Sequence, residues 1–316
     1  MVVRIPNWLG DALMATPVYY NLSKIEKIYL FGPPQIVDLF KFFPNTKILY
    51  YYSKNIKENL KTLAPFKNEI GLLLPNSFSS AWLFFRAGFK ERWGYSKDLR
   101  WFLLTKAVKP PSKEMHQRDY YLYLLKALGL PYEFKDLILP LNNEIKKKTQ
   151  KFLSEIKKPF IVIAPGAAYG PAKMWPKEYY KELALKLVKM GFSVIITGSE
   201  KEKETGDFIA NGNPKIYNFC GKTDLLIVAG IFSMAKGVIS NDSGLMHLAA
   251  ALKVPQIAIF GSTDPKLTGP LNSKAIILKK DLPCSPCFKR TCKYGHYECL
   301  RSILVDEVLK ALQKLL

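Results

Sequence analysis

The chain has 316 residues and no long segment of biased composition, which is enough for two α/β domains of ordinary size. It carries 47 Lys and Arg against 26 Asp and Glu, a net charge of +21 that indicates nucleic acid, an acidic membrane surface or a phosphorylated substrate as partner. A solvated, lysine-rich surface of the thermophile type explains part of this excess equally well. No apolar run of about 18 residues and no signal-peptide pattern occurs, so we expect a cytoplasmic protein.

The first half of the chain alternates strand-like and helix-like segments. Strands are expected at 2–5, 28–31, 47–52 and 70–74, with a helix at 12–23. This alternation is typical of a doubly wound parallel sheet, in which ligands bind beyond the carboxyl ends of the strands. Asp11, Asn76 and Ser77 follow predicted strands and belong to that edge. A Gly-Asp turn at Asp11 fits a helix cap as well as a catalytic carboxylate.

Aromatic and basic residues are mixed between residues 82 and 101. The segment contains Arg86 and Arg92 among several Phe, Trp and Lys side chains. Such a mixture is able to stack on nucleic-acid bases or to enter a lipid headgroup layer. An ordinary aromatic core beneath surface bases has the same composition.

A lysine-rich segment at 142–158 precedes a second half with the same alternation. Strands are expected at 160–164, 193–197, 216–219, 237–240 and 256–260, with helices between most of them. We therefore predict an α/β protein with two Rossmann-like, doubly wound domains facing across a cleft. The predicted domains are 1–155 and 156–300, followed by a terminal helix at 301–316 that packs near the hinge.

The polar turn Asn241-Asp242-Ser243-Gly244 connects a predicted strand to a helical stretch. Its side chains can cap the helix, which leaves backbone N–H groups and the positive end of the helix dipole open to a phosphate. His247 lies one turn further along, on the face that carries Ser243. A plain capped helix with a half-buried histidine fits the pattern equally well.

Lys173 lies in a Gly- and Pro-rich loop after the first strand of the second half. A lysine there supplies a point charge to a diphosphate, although by itself it fits a solvent-facing residue better. Neither G-x-G-x-x-G nor G-x-x-x-x-G-K-[ST] is present, so phosphate binding has to rest on helix N-termini and Lys173. Glu200 and Glu202 stand where a carboxylate could bind a ribose or simply begin a helix.

Four cysteines fall within one short segment: Cys284, Cys287, Cys292 and Cys299. This spacing indicates a local cross-link, through a structural metal ion or two disulfides, with His296 as a further candidate ligand. Because no nucleophile and base pair lies nearby, we predict a structural cluster. The fifth cysteine, Cys220, is expected to be a buried thiol.

Several motifs occur together in the order found in one enzyme family. They are N-W-L-G-D at 7–11 with M-A-T-P at 14–17, L-P-N-S at 74–77, P-G-A at 165–167 with K-x-W-P at 173–176, N-D-S-G-L-M-H-L-A-A-A at 241–251, and P-C-x-P-C-F-K-R at 283–290. Through them nearly the whole chain resembles the ADP-heptose:lipopolysaccharide heptosyltransferases, glycosyltransferase family 9. Within the family the resemblance is greatest to heptosyltransferase II.

The resemblance implies a GT-B fold and an inverting transfer of L-glycero-D-manno-heptose from ADP-heptose to the lipopolysaccharide inner core. It implies the first core heptose as acceptor and no required metal. By position it implies Asp11 as catalytic base, Lys173 as catalytic contact to the diphosphate and Glu202 as ribose contact. The other donor-binding residues that it implies are Asp242, Ser243, Gly244 and His247. The expected acceptor-binding residues are Asn76, Ser77, Arg86, Arg92 and Arg118, which would hold an acidic lipid at the cytoplasmic face of the inner membrane.

Three alternatives stay open at this point. Heptosyltransferases I and III of the same family differ in the acceptor, and a nucleotide-sugar epimerase of similar fold would act without a lipid acceptor. A nucleic-acid-binding protein would explain the charge, yet it gives the turn at 241–247 no purpose, so we predict no nucleic-acid partner. The acceptor hydroxyl and the oligomeric state do not follow from the sequence.

Overall fold

Runs of buried aliphatic residues form two separate six-stranded sheets, in both of which all strand pairs are parallel. The computed structural model describes residues 1–316 and divides into two units, Met1–Pro140 and Leu141–Leu316. The predicted α/β class with two doubly wound units is confirmed. Every helix falls short of the length and apolarity that a membrane span requires.

The first unit contains six strands and six α-helices. In chain order they are β1 (Val2–Arg4), α1 (Leu9–Met14), α2 (Thr16–Ser23), β2 (Ile28–Gly32), α3 (Pro34–Val37), β3 (Thr46–Tyr50), α4 (Ile56–Leu63), β4 (Ile70–Leu73), α5 (Phe78–Arg86), β5 (Glu91–Tyr95), β6 (Lys106–Val108) and α6 (Gln117–Ala127). The strand order is β3-β2-β1-β4-β5-β6. The direction of winding reverses between β1 and β4, so the loops after these two strands flank the place where such sheets bind ligands.

One detail of the first unit differs from the prediction, and a second decides between interpretations that the sequence left open. The helix expected at 12–23 is two helices, because Pro17 inside one continuous helix would meet the carbonyl of Leu13; instead Pro17 lies in the first turn of α2. The segment rich in aromatic and basic residues contains a strand, β5, in which Trp93 and Tyr95 are buried. Part of that segment is therefore core, as one of the three interpretations required.

The second unit contains six strands and eight α-helices. In chain order they are α7 (Asn143–Phe152), β7 (Phe160–Ala164), α8 (Lys177–Lys189), β8 (Ser193–Ile196), α9 (Lys203–Ala210), β9 (Ile216–Asn218), α10 (Leu225–Met234), β10 (Gly237–Asn241), α11 (Gly244–Ala251), β11 (Gln256–Ile259), α12 (Pro265–Thr268), β12 (Ala275–Leu278), α13 (Glu298–Arg301) and α14 (Val305–Gln313). The strand order is β12-β11-β10-β7-β8-β9, the same winding as in the first unit. Here the reversal lies between β7 and β10.

Both ends of the second unit differ from the predicted boundaries. Helix α7, placed in the first domain by the boundary at 155, packs on α10, and Phe152 stacks edge-on against Phe219 with 4.9 Å between ring centroids. The chain therefore divides after Pro140. Helix α14 belongs to the core of the same unit, where Val308 and Leu312 are fully buried beside α8 and β11. Its predicted place near a hinge stays a prediction.

Candidate active site

The second unit brings the Gly- and Pro-rich loop after β7 and the polar turn after β10 together. The two strands are neighbours, with Ala164 paired to Ser240, so both loops leave the sheet at the same edge. Asn241 links them: its Nδ2 donates to Pro165 O at 2.6 Å, and its Oδ1 accepts from Trp175 N at 3.1 Å and Tyr180 Oη at 2.8 Å. Because the side-chain amide of Asn241 is fully buried and hydrogen-bonds to both loops, it fixes the two loops in one arrangement.

Lys173 and Asp242 form an ion pair at this edge. Lys173 Nζ lies 2.5 Å from Asp242 Oδ2, and 12% and 4% of the two side chains remain exposed. Thr263 Oγ1 donates to the same carboxylate oxygen at 2.5 Å. Lys173 is thus not the mobile, solvent-facing lysine that the sequence alone also permitted. Since the pair is electrically neutral, a bound diphosphate would need further positive charge.

Arg290 supplies a second cation that the sequence did not reveal. Its guanidinium carbon lies 5.4 Å from the centre of the Tyr169 ring, and Lys173 Nζ lies 4.8 Å from the same centre. Gly170 allows this approach, because a Cβ atom there would come within 2.6 Å of Arg290 O. Ala172 N donates to that carbonyl at 3.0 Å. The only sequence signal was the K-R pair that follows the second cysteine of the cluster.

The N-terminus of α11 completes this edge of the sheet. Ser243 is extended at φ −149° and does not cap the helix through its side chain, contrary to one interpretation of the turn. The hydroxyls of Ser243, Ser262 and Thr197 are shielded from solvent and have no hydrogen-bond partner. Gly244 begins the helix and His247 is buried one turn later. Buried polar groups without partners at a ligand-binding edge are typical of a site that a ligand completes.

The structure distinguishes the two carboxylates near this edge. Glu202 lies against the glycine-rich loop, because a Cβ atom on Gly166 would come within 2.8 Å of its carboxyl carbon. Its Oε2 accepts from Ser199 N at 2.7 Å and from Ser199 Oγ at 2.6 Å, an N-terminal capping box. Glu200 is exposed and pairs with Lys203 at 3.4 Å. Of the two, Glu202 is placed beside the loop.

In the first unit, Asp11 is the third residue of α1, not its cap, which is Trp8. Tyr121 Oη donates to Asp11 Oδ1 at 3.3 Å, and burial together with the nearby carboxylate raises the pKa of Tyr121 well above its usual value. The buried guanidinium of Arg4 lies beneath the same loop, where Nη2 donates to Asn7 Oδ1 at 2.5 Å. Burial lowers the pKa of Arg4 to about 10. A half-buried carboxylate is thereby held at the carboxyl edge of β1.

The turn after β4 is held by another buried arginine. Arg100 donates through Nη1 to Pro75 O and to Ser80 Oγ, the latter at 3.1 Å. Asn76 Nδ2 donates to Tyr120 Oη at 3.0 Å, and Ser77 precedes α5 as its exposed N-terminal flank. Asn76 and Ser77 therefore stand at the loop after β4, beside the loop that carries Asp11, as predicted for the edge of a parallel sheet.

The three arginines expected to bind the acceptor have different surroundings. Arg86 is exposed at the end of α5, with its guanidinium carbon 5.1 Å from the Trp82 ring centre. Arg92 is half-buried and donates through Nε to Leu103 O at 2.6 Å. Arg118 forms an ion pair with Asp119 at 2.8 Å. Arg92 and Arg118 thus stabilise local structure, and Arg86 alone presents an exposed guanidinium.

The cysteine cluster lies beside Arg290. All five cysteines are free thiols, so the disulfide alternative is not found, and no group of three His, Cys, Asp or Glu side chains is arranged to hold a metal ion. Backbone hydrogen bonds, first from Tyr297, lower the pKa of Cys292, whereas burial and the other three thiols raise the pKa of Cys299. Cys220 is fully buried as predicted, and burial raises its pKa to about 12.

This segment is attached directly to the loops at the carboxyl edge of the second sheet. Cys287 N and Phe288 N both donate to Ser262 O, at 3.1 and 2.7 Å, and Tyr169 Oη donates to Phe288 O at 2.7 Å. The cluster therefore lies next to the candidate site and holds the backbone of Arg290 in place. His296, the further candidate ligand, accepts a hydrogen bond from Glu298 N through Nδ1 at 2.9 Å.

The family model of glycosyltransferase family 9 (heptosyltransferase) matches residues 59–298. The chain belongs to glycosyltransferase family 9. This glycosyltransferase is 31% identical to lipopolysaccharide heptosyltransferase 2 of Escherichia coli K12, over 98% of this chain and 97% of that one. It is 30% identical to lipooligosaccharide heptosyltransferase 2 of Campylobacter jejuni serotype O:6, over 99% of this chain and 98% of the other.

The fold agrees with the family assignment. The solved structure of E. coli ADP-heptose LPS heptosyltransferase II superposes with a TM-score of 0.87 at 29% identity, covering 99% of this chain and 97% of that chain. A family 9 glycosyltransferase from Veillonella parvula superposes with a TM-score of 0.85 at 23% identity, over 99% and 96%. The GT-B fold predicted for this glycosyltransferase is confirmed by these neighbours, and it is an enzyme as predicted.

Proposed function

We propose that this glycosyltransferase transfers L-glycero-D-manno-heptose from ADP-heptose to the inner core of lipopolysaccharide, with inversion at the anomeric carbon. The observation that carries the proposal is the Lys173–Asp242 pair with Arg290 and the N-terminus of α11 at one edge of a Rossmann-like sheet. Full-length relatives named lipopolysaccharide heptosyltransferase 2 and lipooligosaccharide heptosyltransferase 2 support the substrate. For the same reason the first core heptose is the proposed acceptor.

The donor belongs to the second unit in this proposal. Lys173 and Arg290 would contact the diphosphate, and the backbone N–H groups of α11 would add the positive end of a helix dipole. The partnerless hydroxyls of Ser243 and Thr197 would find acceptors on the nucleotide sugar. Glu202, beside the glycine-rich loop, would bind the ribose hydroxyls.

The acceptor belongs to the first unit. As its hydroxyl attacks the anomeric carbon and the diphosphate leaves, Asp11 would take the hydroxyl proton as general base. Lys173, Arg290 and the helix N-terminus would stabilise the negative charge that grows on the leaving diphosphate, so the proposed step involves no metal ion. The loop residues Asn76 and Ser77, with Arg86, would position the acceptor.

The proposed site of action is the cytoplasmic face of the inner membrane, where the acceptor lipid is anchored. The net charge of +21 favours an anionic lipid surface there. Nucleic acid is not a proposed partner, since the described site explains the turn at 241–247 without it. A nucleotide-sugar epimerase is less well supported, because the relatives that match the whole chain are named heptosyltransferases.

The deciding experiment supplies ADP-heptose to the purified chain with core acceptors that carry zero, one or two heptoses. Transfer to the acceptor with one heptose is the expected result. Preference for the acceptor with none or with two would assign the chain the role of heptosyltransferase I or III. A new nucleotide sugar formed without any acceptor would overturn the proposal in favour of an epimerase.

The four thiols as arranged do not form a ligand set for a metal ion. A structural metal at the cysteine cluster therefore stays a prediction. Elemental analysis of the purified chain, with Cys292→Ser as the comparison, is the direct test. One tightly bound metal per wild-type chain, absent from the variant, would support it. Cys220→Ser is the matched control, since that thiol lies outside the cluster.

A further inference from the structure

A patch of large apolar side chains lies exposed on the first unit. The exposed fractions are 80% for Leu99, 61% for Trp101 and 57% for Phe102, with Phe78 and Phe85 at 43% and 50%. We call these five residues the apolar patch. The rings of Trp101 and Phe102 lie 5.7 Å apart, and those of Phe102 and Phe78 lie 6.2 Å apart. Exposed aromatic residues in contact with one another are typical of an interaction surface rather than of scattered surface residues.

The loop that carries most of the patch is fixed from inside. Arg100, between Leu99 and Trp101, is fully buried and donates to Tyr95 O at 2.9 Å and to the turn at Pro75. Leu99 stands in the left-handed region at φ 55°, which costs a leucine conformational energy. A buried charge and a left-handed leucine together hold the apolar side chains outward. Collapse of Trp101 onto the core would break those contacts.

The remaining patch residues continue the same surface along α5. Phe78 and Phe85 lie seven positions apart and therefore share one helix face. The guanidinium carbon of Arg92 lies 5.4 Å from the Phe85 ring centre, and its Nε donates to Leu103 O, so it joins the helix to the end of the loop. Phe78 thus links the loop to α5, and Phe85 extends the apolar face of that helix with a cation stacked on its ring.

The charges near the patch are mainly positive. Besides the buried Arg100, the cations of residues 78–106 are Arg86, Lys90, Arg92, Lys97 and Lys106, against the carboxylates of Glu91 and Asp98. The Glu91 carboxylate is engaged in local structure, since it accepts hydrogen bonds from Trp93 Nε1 at 2.8 Å and Thr105 Oγ1 at 3.0 Å. Aromatic and aliphatic side chains bordered by cations match the headgroup region of an anionic bilayer, where Trp is enriched.

We propose that the apolar patch is the membrane-docking surface of this enzyme and that Leu99, Trp101 and Phe102 enter the headgroup layer of an anionic phospholipid bilayer. This proposal names the residues that would contact the lipid surface, and it rests on the proposed function for the choice of a membrane-bound acceptor. The occupant is a lipid surface, because cations border the patch and the whole chain is strongly basic. Docking orients the first unit toward an acceptor embedded in the same bilayer.

The test uses the full chain with vesicles of phosphatidylcholine, with and without phosphatidylglycerol, in a flotation assay. Wild type should float with the anionic vesicles, and Leu99→Asn/Trp101→Ser should bind them at least about tenfold more weakly. Asn accepts a left-handed backbone, so the variant should melt at the wild-type temperature. Ile25→Ser is the matched control, since Ile25 is exposed to 53% elsewhere on the same unit.

A second measurement keeps the test independent of that variant. The fluorescence of wild type should shift to the blue on adding anionic vesicles, and Trp101→Phe should lose the shift although the other four tryptophans remain. Unchanged flotation of the double variant, or a shift that survives in Trp101→Phe, would overturn the docking surface.

The two proposals fail separately. If wild type binds vesicles through the patch but transfers no heptose to any core acceptor, the function is wrong and the docking surface stands. If the double variant binds vesicles as wild type does and transfers heptose to a lipid-embedded acceptor at the wild-type rate, the docking surface is wrong and the function stands. ADP affinity, which belongs to the second unit, should be the same in wild type and variant.

Discussion

Lys173 Nζ lies 2.5 Å from Asp242 Oδ2, and both groups are largely removed from solvent. Each side chain comes from a loop that leaves the sheet at the point where the winding reverses, so the pair also ties the two loops together. Removal of either partner would leave an uncompensated charge at a mostly buried position. In the proposed function the lysine contacts the diphosphate, and the aspartate keeps the lysine in place when no anion is bound.

Replacing Lys173 by Ala should weaken ADP binding by about 1–3 kcal/mol, because a charged contact to the diphosphate is lost and Asp242 is left without its partner. Calorimetric titration with ADP measures the effect. Lys177→Ala is the control, since Lys177 is an exposed cation only four residues away. Equal ADP affinity in wild type and a folded Lys173→Ala protein would remove the diphosphate from this site. Lys173→Gln, which still donates to Asp242, serves if the alanine variant is too unstable.

Glu202 and Glu200 should differ in their effect on ribose recognition. Glu202→Gln should lower ADP affinity by about 1 kcal/mol, roughly fivefold, because an amide is a weaker acceptor for a hydroxyl than a carboxylate. Gln is also acceptable in the capping box, so the turn that leads into α9 should keep its start. With 2′,3′-dideoxy-ADP the loss should vanish. Glu200→Gln should bind ADP and 2′,3′-dideoxy-ADP with the affinities of wild type. If Glu200 were the ribose contact instead, Glu200→Gln would lose affinity for ADP but not for the dideoxy analogue.

The sequence predicted which loops meet at this edge of the second sheet, because the signals are local. Parallel strands followed by polar turns placed Lys173 and Asp242 at one edge, and the structure brings them together. Arg290 was not predicted, because it contacts Tyr169, a residue more than a hundred positions away in the sequence. The burial of Arg100 was not predicted either, since one of its carbonyl partners, Pro75 O, lies 25 positions earlier in the chain. Nothing in a local pattern distinguishes a buried arginine from a surface one.

The unit boundary shows the same limit. The predicted boundary after residue 155 places most of the lysine-rich segment at 142–158 in the first domain, but Ile145 and Thr149 on one face of α7 are buried. A helix with a charged outer face and a narrow apolar face packs on a core as readily as it spans two domains. The partner of that face, α10, lies far along the chain and could not be inferred from α7 alone.

The ion pair between α14 and the segment that follows β12 should make stability depend on pH. Lys280 Nζ contacts Glu307 Oε2 at 2.7 Å, and hydrogen bonding from this lysine lowers the pKa of Glu307 below its usual 4.5. A lowered carboxyl pKa contributes stability that is present above the unfolded value and is lost as pH falls through the folded value. We therefore expect Glu307→Gln to melt earlier than wild type near neutral pH, with the difference shrinking below about pH 4.5.

Thermal melting across that range measures the effect, and Glu204→Gln is the control because Glu204 is an exposed carboxylate on α9. A constant difference between wild type and Glu307→Gln from neutral to acidic pH would mean that the ionised pair contributes nothing. In that case the packing of Val308 and Leu312 and the ion pair between Lys186 and Asp306 would hold α14 in the second unit.

Asp11→Asn should abolish most turnover and leave the fold and ADP binding unchanged. The residue is the third of α1 and not its cap, so the substitution costs only its favourable place near the helix N-terminus, about 0.3–1 kcal/mol. Loss of a general base instead costs about 10²–10⁴ in rate. Single-turnover transfer from ADP-heptose, with ADP calorimetry and melting on the same samples, separates the two effects. Asp38→Asn is the matched carboxylate change in the first unit. Turnover within a few-fold of wild type on the preferred acceptor would mean that another group accepts the proton, and the hydrogen bond from Tyr121 would then serve only to position a helix.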